Sequence, residues 1–239
     1  MPTSVLATVA LLVVFPIVAG IAGSLIAAQR TPPPALVSGV QHLAAGVVMA
    51  AVAVEVLPDL RERGPLVLVV AGFCCGVALL VILQRFEGDE PEAGGAISRS
   101  FLVVLGVDLF VDGLLVGAGA VVSTGTAVVL TIALTLEVLF LGVATSLQLT
   151  AAGVTSRRAS VITGGLTLLI GVGAILGALV LPRAGGGTLT VVLAFAAAAL
   201  LWLVVEELLV EAHESPHKPW MAVMFFVGFL TIYCLEVLA

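Results

Sequence analysis

The chain has 239 residues, 61% of them hydrophobic and only 10% charged, with a formal net charge of −6 and a mean hydropathy of +1.29. An ordinary soluble domain is about a quarter charged, so this composition excludes a water-soluble globule. The acidic balance excludes a nucleic-acid partner and a polybasic lipid-binding segment.

The apolar runs are unbroken rather than alternating. Because lipid admits only helices or closed barrels, they predict an all-α polytopic membrane protein rather than a barrel. A span needs about 20 apolar residues, and on that measure residues 1–239 form a single transmembrane domain of eight helices. The first, 4–29, opens with MPTSVLATVA, which lacks a basic leader region, so it is expected to stay as an anchor. TPPPA (31–35) closes the first connection. The second helix, 36–58, carries His42, Met49 and Glu55, and the third covers 65–85. The longest connection follows, 86–99, acidic and expected to be flexible. The fourth helix, 100–122, is separated from the fifth, 126–149, by the tight link STGT. The sixth, 159–181, ends at PRAGGG. The seventh, 188–212, ends at HESPHKP, and the eighth covers 219–238; both breaks are rich in turn residues. Cys74, Cys75 and Cys234 lie in apolar stretches without metal-ligand spacing and read as small packing residues.

Basic residues orient the spans. Odd-numbered connections hold Arg30, Arg85, Arg99, Arg157, Arg158 and Lys218; even-numbered ones hold Arg61, Arg63 and Arg183. This bias predicts both termini outside and 86–99 in the cytoplasm. Arginine outnumbers lysine eight to one and Ala, Val and Gly are abundant. That usage hints at a GC-rich prokaryotic genome, hence a cytoplasmic (inner) membrane.

LAAGVVMAAVAVEVLPDL (43–60) aligns without gaps to FAAAALLWLVVEELLVEA (195–212), with Glu55 on Glu207 and Asp59 on Glu211. The segments are the second and seventh helices, five connections apart, so they cross in opposite directions. That is the trace of an inverted repeat, helices one to three related to six to eight with four and five between, an architecture of secondary transporters.

The middle helices should then hold the site. Asp108 and Asp112 lie one turn apart on one face of the fourth helix, and Glu137 lies at mid-depth on the fifth. Each acid is followed five residues later by glycine where Gly113 follows Asp108 and Gly142 follows Glu137, which predicts close approach of the two helices. A charged acid at the bilayer centre costs about 2.5–3.5 kcal/mol on the insertion scale, so three isolated ones would cost about 8–10 kcal/mol. Protons on the acids, or a cation between them, relieve that cost. Glu55, Glu206, Glu207 and Glu236 lie nearer helix ends, where an acid reaches water; the first three, with His42 and Met49, are candidates for a pathway or relay. His213, Glu214 and His217 share a connection and read as solvated, with weak metal binding as the alternative.

These residues resemble the ZIP (Zrt/Irt-like) divalent-metal transporters, in particular the shorter prokaryotic branch. HLAAGVVMAAVAVEVLPDL (42–60) is similar to the family's second helix, DLFVDGLLVGAG (108–119) to its fourth, LVVEELLVEAHE (203–214) to its seventh and FFVGFLTIYCLEVL (225–238) to its eighth. The resemblance implies eight helices in a 3+2+3 inverted-repeat bundle, both termini outside, a homodimer, and helices one, four, five and six moving against the other four. It also implies a metal site in which Asp108 and Asp112 replace the family's fourth-helix His and Glu. The departures are large. Leu109 stands where Asn is usual, and 165–177 has no acid. Anchored on Gly142, the fifth-helix motif puts Glu137 at its His position and Leu141 at its Glu position; a shift by one puts Glu137 just after the His position, and the proline is absent either way.

Carboxylates suit harder ions than imidazole does, although zinc also accepts carboxylate oxygen. The expectation is therefore a transporter of a divalent metal cation (zinc, iron or manganese) as substrate, through Asp108, Asp112 and Glu137, with proton exchange. No organic cofactor and no enzyme activity are expected. Two alternatives stay open: a ZIP fold that moves protons or an organic cation, and a non-transporting scaffold or sensor in the lipid bilayer.

Overall fold

The computed structural model describes residues 2–29, 33–87, 99–213 and 218–238. Every regular element among them is helical. Seven helices among the described residues are long and apolar enough to cross a membrane, and Pro219–Leu235 is a shorter apolar helix. The structure is therefore an all-α polytopic membrane protein. The predicted connections at 88–98 and at Glu214–His217 lie outside the described residues, as do Arg30 and the side chains of Glu211 and Glu236.

The first helix, α1, consists of Pro2–Leu12 and Val14–Gln29. It breaks at Val13 because Pro16 has no N–H and its ring crowds the Leu12 carbonyl four residues back. Helix α2 starts with proline in its first turn at Pro34–Ala51, loosens into a π-helical turn at Val52–Val56 and continues as Leu57–Arg63. It runs five residues past the predicted end at 58. Pro58 does not stop it, because the wider turn just before the proline absorbs the missing hydrogen bond. Helices α3 (Leu66–Glu87) and α4 (Arg99–Val122) flank the long connection. Helix α5 (Thr124–Ala151) follows α4 after one residue, Ser123, whose extended backbone and Oγ, accepting from the Thr126 N–H at 2.9 Å, cap it. Helix α6 (Ser156–Val180) ends in a 3₁₀ turn at Leu181–Arg183. Helix α7 runs Gly186–Trp202, then a π-helical turn at Leu203–Leu208, then Leu209–His213, and α8 is Pro219–Leu238. No proline marks the second π turn; its position, however, overlays the first in the alignment of 43–60 with 195–212.

The helices pack in two groups. Helix α1 packs most closely on α5 and α4 on α6, with α1 also against α6; α2 packs most closely on α8 and α3 on α7. Small residues set these distances, since without a hydrophobic force between helices in lipid, close backbone approach supplies the attraction. Gly46 faces the Phe225 carbonyl while Gly228 faces that of Leu43, reciprocally across α2 and α8. Gly113 and Gly173 do the same across α4 and α6, against Ile170 and Phe110. In the first group Ser24 O accepts hydroxyls from Ser160 at 3.1 Å and Ser146 at 3.4 Å, tying α1 to α6 and α5.

Two expectations need correction. Gly113 and Gly142 do not draw α4 to α5: Gly113 admits α6, and Gly142 admits the Gly20 carbonyl of α1. Cys74, Cys75 and Cys234 are free and exposed rather than packed inside, because α3 and α8 turn most of their surface outward.

Replacing Gly46 by Leu is expected to lower the melting temperature of the detergent-purified protein sharply, since overpacking costs about 1–3 kcal/mol or more. Gly165→Leu, where a Cβ meets nothing within 4 Å, should leave it nearly unchanged.

Candidate metal centre

Helix periodicity builds the site. On α4, Phe101, Val104, Leu105 and Asp108 follow one another at helical spacing, and Asp112 is the next turn of the same face. On α5 the face carrying Glu137 continues through Leu141 and Thr145 to Gln148. The α4 and α5 faces meet, and one carboxylate oxygen from each of Asp108, Asp112 and Glu137 lies within 4.8 Å of the others. Asp112 is 4% exposed and Glu137 2%; Asp108 is half-buried.

Oxygens of the two most buried acids lack the partners that usually stabilise buried charge. Asp112 Oδ2 and both Glu137 oxygens are buried without a hydrogen-bond partner. Among the described residues, every Arg and Lys falls near a helix end or in a connection. Breaking or omitting the partner of a buried charge is strongly unfavourable. A proton or a bound cation at Asp112 and Glu137 relieves that cost.

The geometry suits an ion. Oxygens bound to one cation at about 2.0–2.6 Å lie at most about 4.0–5.2 Å apart. The triad falls in that range before any adjustment.

A cavity of about 390 Å³ reaches the cluster. Asp108 of α4 and Glu207 of α7 line it, and so do Gln84, Phe101, Thr145 and Gln148. Gln84 and Phe101 lie near the end of α3 and the start of α4, and Thr145 and Gln148 near the end of α5, so the cavity extends from the acids toward those helix ends. It runs along the seam between the two helix groups. Beyond Asp112 and Glu137, toward the other side, Leu115, Val116, Leu130, Ala133 and Leu134 belong to one packed apolar cluster with Val48 and Val52 of α2. The site is thus approached from one side and plugged on the other.

The remaining candidates are spread out. Glu207 joins the cavity wall from the π turn of α7. Glu55, in the π turn of α2, accepts a hydrogen bond from Thr126 Oγ1 at 2.8 Å, at the capped start of α5 and therefore at the plugged end. Glu206 is exposed and is not among the cavity walls. Met49 packs against the main apolar cluster. His42 lies against His213 rather than beside the acids, and His213 ends a helix instead of opening a loop. Sequence reasoning passed over Gln84, Thr145 and Gln148. The signal was present: glutamines are rare in apolar helices, and Gln148 continues the helical face of Glu137.

No protein-family model matches the chain, and no curated protein matches it. The chemistry of the site itself therefore carries the functional conclusion.

Adding Mn²⁺ to purified protein is expected to raise its melting temperature by several degrees, since a ligand at 100 times its Kd stabilises by about 2.7 kcal/mol. Asp112→Asn and Glu137→Gln should abolish the shift without lowering the metal-free melting temperature.

Proposed function

We propose that the protein is a ZIP-like secondary transporter that moves a divalent metal cation through the Asp108–Asp112–Glu137 site. The observation that carries this reading is the convergence of three carboxylates, two of them fully buried with oxygens that have no hydrogen-bond partner, at the end of a one-sided cavity. A scaffold has no use for such an arrangement; a pathway needs both the site and the asymmetry.

Architecture supports the reading. In a 3+2+3 inverted repeat, α1–α3 exchange with α6–α8 and α4 with α5. That operation turns the α1–α5 contact into α6–α4 and the α2–α8 contact into α7–α3, which are the four closest packings of the molecule. It also overlays the two π turns and carries Glu207 in the cavity onto Glu55 at the plug. On this reading α8 is the eighth crossing, both termini are outside and the cavity faces the cytoplasm. Transport then consists of the α1, α4, α5, α6 group shifting against α2, α3, α7, α8, so that the plug loosens as the cavity closes.

Charge suggests the coupling. With three protons the cluster is neutral. With one divalent cation and one proton it is neutral again. A low-dielectric site favours both states over any net charge, and a metal must displace protons from its ligands to bind. Each cation entering therefore releases two protons, and the exchange is electroneutral. Oxygen ligands favour Mn²⁺ and similarly hard ions, with Fe²⁺ and Zn²⁺ as competitors.

Vesicles containing the purified protein should accumulate Mn²⁺ and release two protons per ion, at a rate indifferent to membrane potential. Asp112→Asn should slow uptake by about tenfold or more, equivalent to about 1.4 kcal/mol. Proton flux without Mn²⁺ uptake would favour the proton-moving alternative, and no flux of either kind would favour a scaffold or sensor.

A further inference from the structure

Helices α4 and α6 run parallel: Gly113 meets the Ile170 carbonyl, and Gly117, one turn on, meets that of Ala174. Toward their starts the two helices spread apart. At Gly106 an added Cβ would meet only the ends of the Leu169 and Leu166 side chains, at 3.1 and 3.7 Å. The gap is a surface hollow of about 350 Å³, with Leu102, Val103, Val107 and Phe110 on one wall and Leu166 and Leu169 on the other. All of these are apolar, and Val103 is 63% exposed, so the hollow opens on the lipid-facing surface.

Positive charge stands at one end of it. Arg158 precedes Ile162, Leu166 and Leu169 at helical spacing, which keeps all four on one face of α6. Arg99 is the first residue of α4, one turn before Val103, so the parallel register starts both helices with arginine at the same end. Arg157 and Arg158 are exposed, and neither makes a hydrogen bond or ion pair with the described residues. The whole chain has only nine Lys and Arg, so three beside one hollow concentrate a scarce charge. At about 1.5 Å per residue, Leu166 and Leu169 lie about 12 and 16 Å along the axis from Arg158. Half of a hydrocarbon core about 30 Å thick is about 15 Å. The hollow therefore matches the depth of one leaflet, with Arg158 at the level of the headgroups.

We propose that this hollow binds one anionic phospholipid, with its phosphate on Arg158 and the neighbouring arginines and an acyl chain between α4 and α6. Guanidinium matches phosphate bidentately. A zwitterionic lipid is the poorer occupant, because its own cation faces the arginines. The basic residues that orient the spans put this end on the cytoplasmic side, where anionic headgroups attract basic segments. Ordinary lipid covers the other apolar faces; unpaired arginine above an apolar hollow distinguishes this one. A lipid here bridges α4 and α6 and leaves the acids untouched. The site stands whether or not the triad transports metal.

The full-length protein, stripped of lipid in a neutral detergent, is titrated with phosphatidylglycerol or with phosphatidylcholine of the same chains and followed by native mass spectrometry. One phosphatidylglycerol per chain is expected, held about fivefold or more tightly than phosphatidylcholine, a factor equivalent to about 1 kcal/mol per arginine. Arg157→Gln/Arg158→Gln should cut that preference about fivefold. Val103→Trp, which fills the hollow, should weaken retention of both lipids. Arg183→Gln, at the other end of α6, where the side chain donates to the Leu179 carbonyl, should change neither. All the replaced residues are exposed, so each variant is expected to fold. Equal retention of the two lipids by the parent protein, an undiminished preference in Arg157→Gln/Arg158→Gln, retention unaltered by Val103→Trp, or a dimer of the chain in place of the lipid complex would each overturn the proposal.

Discussion

A carboxylate in hydrocarbon needs either a partner or a proton. This chain places three within 4.8 Å of one another and sets no arginine or lysine on the same stretch of helix. Among the described residues, Asp112 Oδ2 and both Glu137 oxygens have no hydrogen-bond partner, so a proton or a cation is what relieves their burial. The rest of the molecule is understandable as the means of holding such a cluster: helices brought close enough to converge the acids, a polar approach from one side, and an apolar seal on the other.

Close approach is achieved with glycine, but not in the direct way that the matched Asp108–Gly113 and Glu137–Gly142 spacings suggest. Each glycine faces away from the α4–α5 contact and admits a supporting helix, α6 or α1, against backbone. The acids are converged indirectly, by clamping α4 and α5 from behind. That leaves the seam between the two helix groups as the plane along which the cavity and its wall residue Glu207 lie. Glu55, which the alignment of 43–60 with 195–212 pairs with Glu207, is instead bound to Thr126. On the proposed inverted-repeat reading, one acid lining a cavity and its counterpart tied down at a packed end would correspond to one of two conformations.

Much of this was legible in the sequence because lipid simplifies the code. Span positions followed from apolar run lengths, and the observed helix ends at Gln29, Val122 and Leu238 coincide with those expected from sequence. The triad was legible because intramembrane acids are expensive and therefore conspicuous. What was not legible depends on which way a helix is rotated. Hydropathy cannot say whether Cys74 faces lipid or a neighbour when every face is apolar, nor which partner a glycine admits. The π turns were hidden for a related reason: Pro58 reads as a stop unless a widened turn precedes it, and in α7 no residue type announces one. His42 was read as a lone residue inside the second helix and His213 as part of a loop; only their meeting in space makes them a pair.

The central claim is that a cation occupies the acid cluster. Diffraction from crystals grown with Mn²⁺, measured with anomalous scattering at the manganese edge, tests it directly. The account predicts an anomalous peak bonded to Asp108, Asp112 and Glu137 oxygens at about 2.0–2.6 Å. Saturating Mn²⁺ with no peak between those side chains, or acids turned apart from one another in the experimental density, would contradict it.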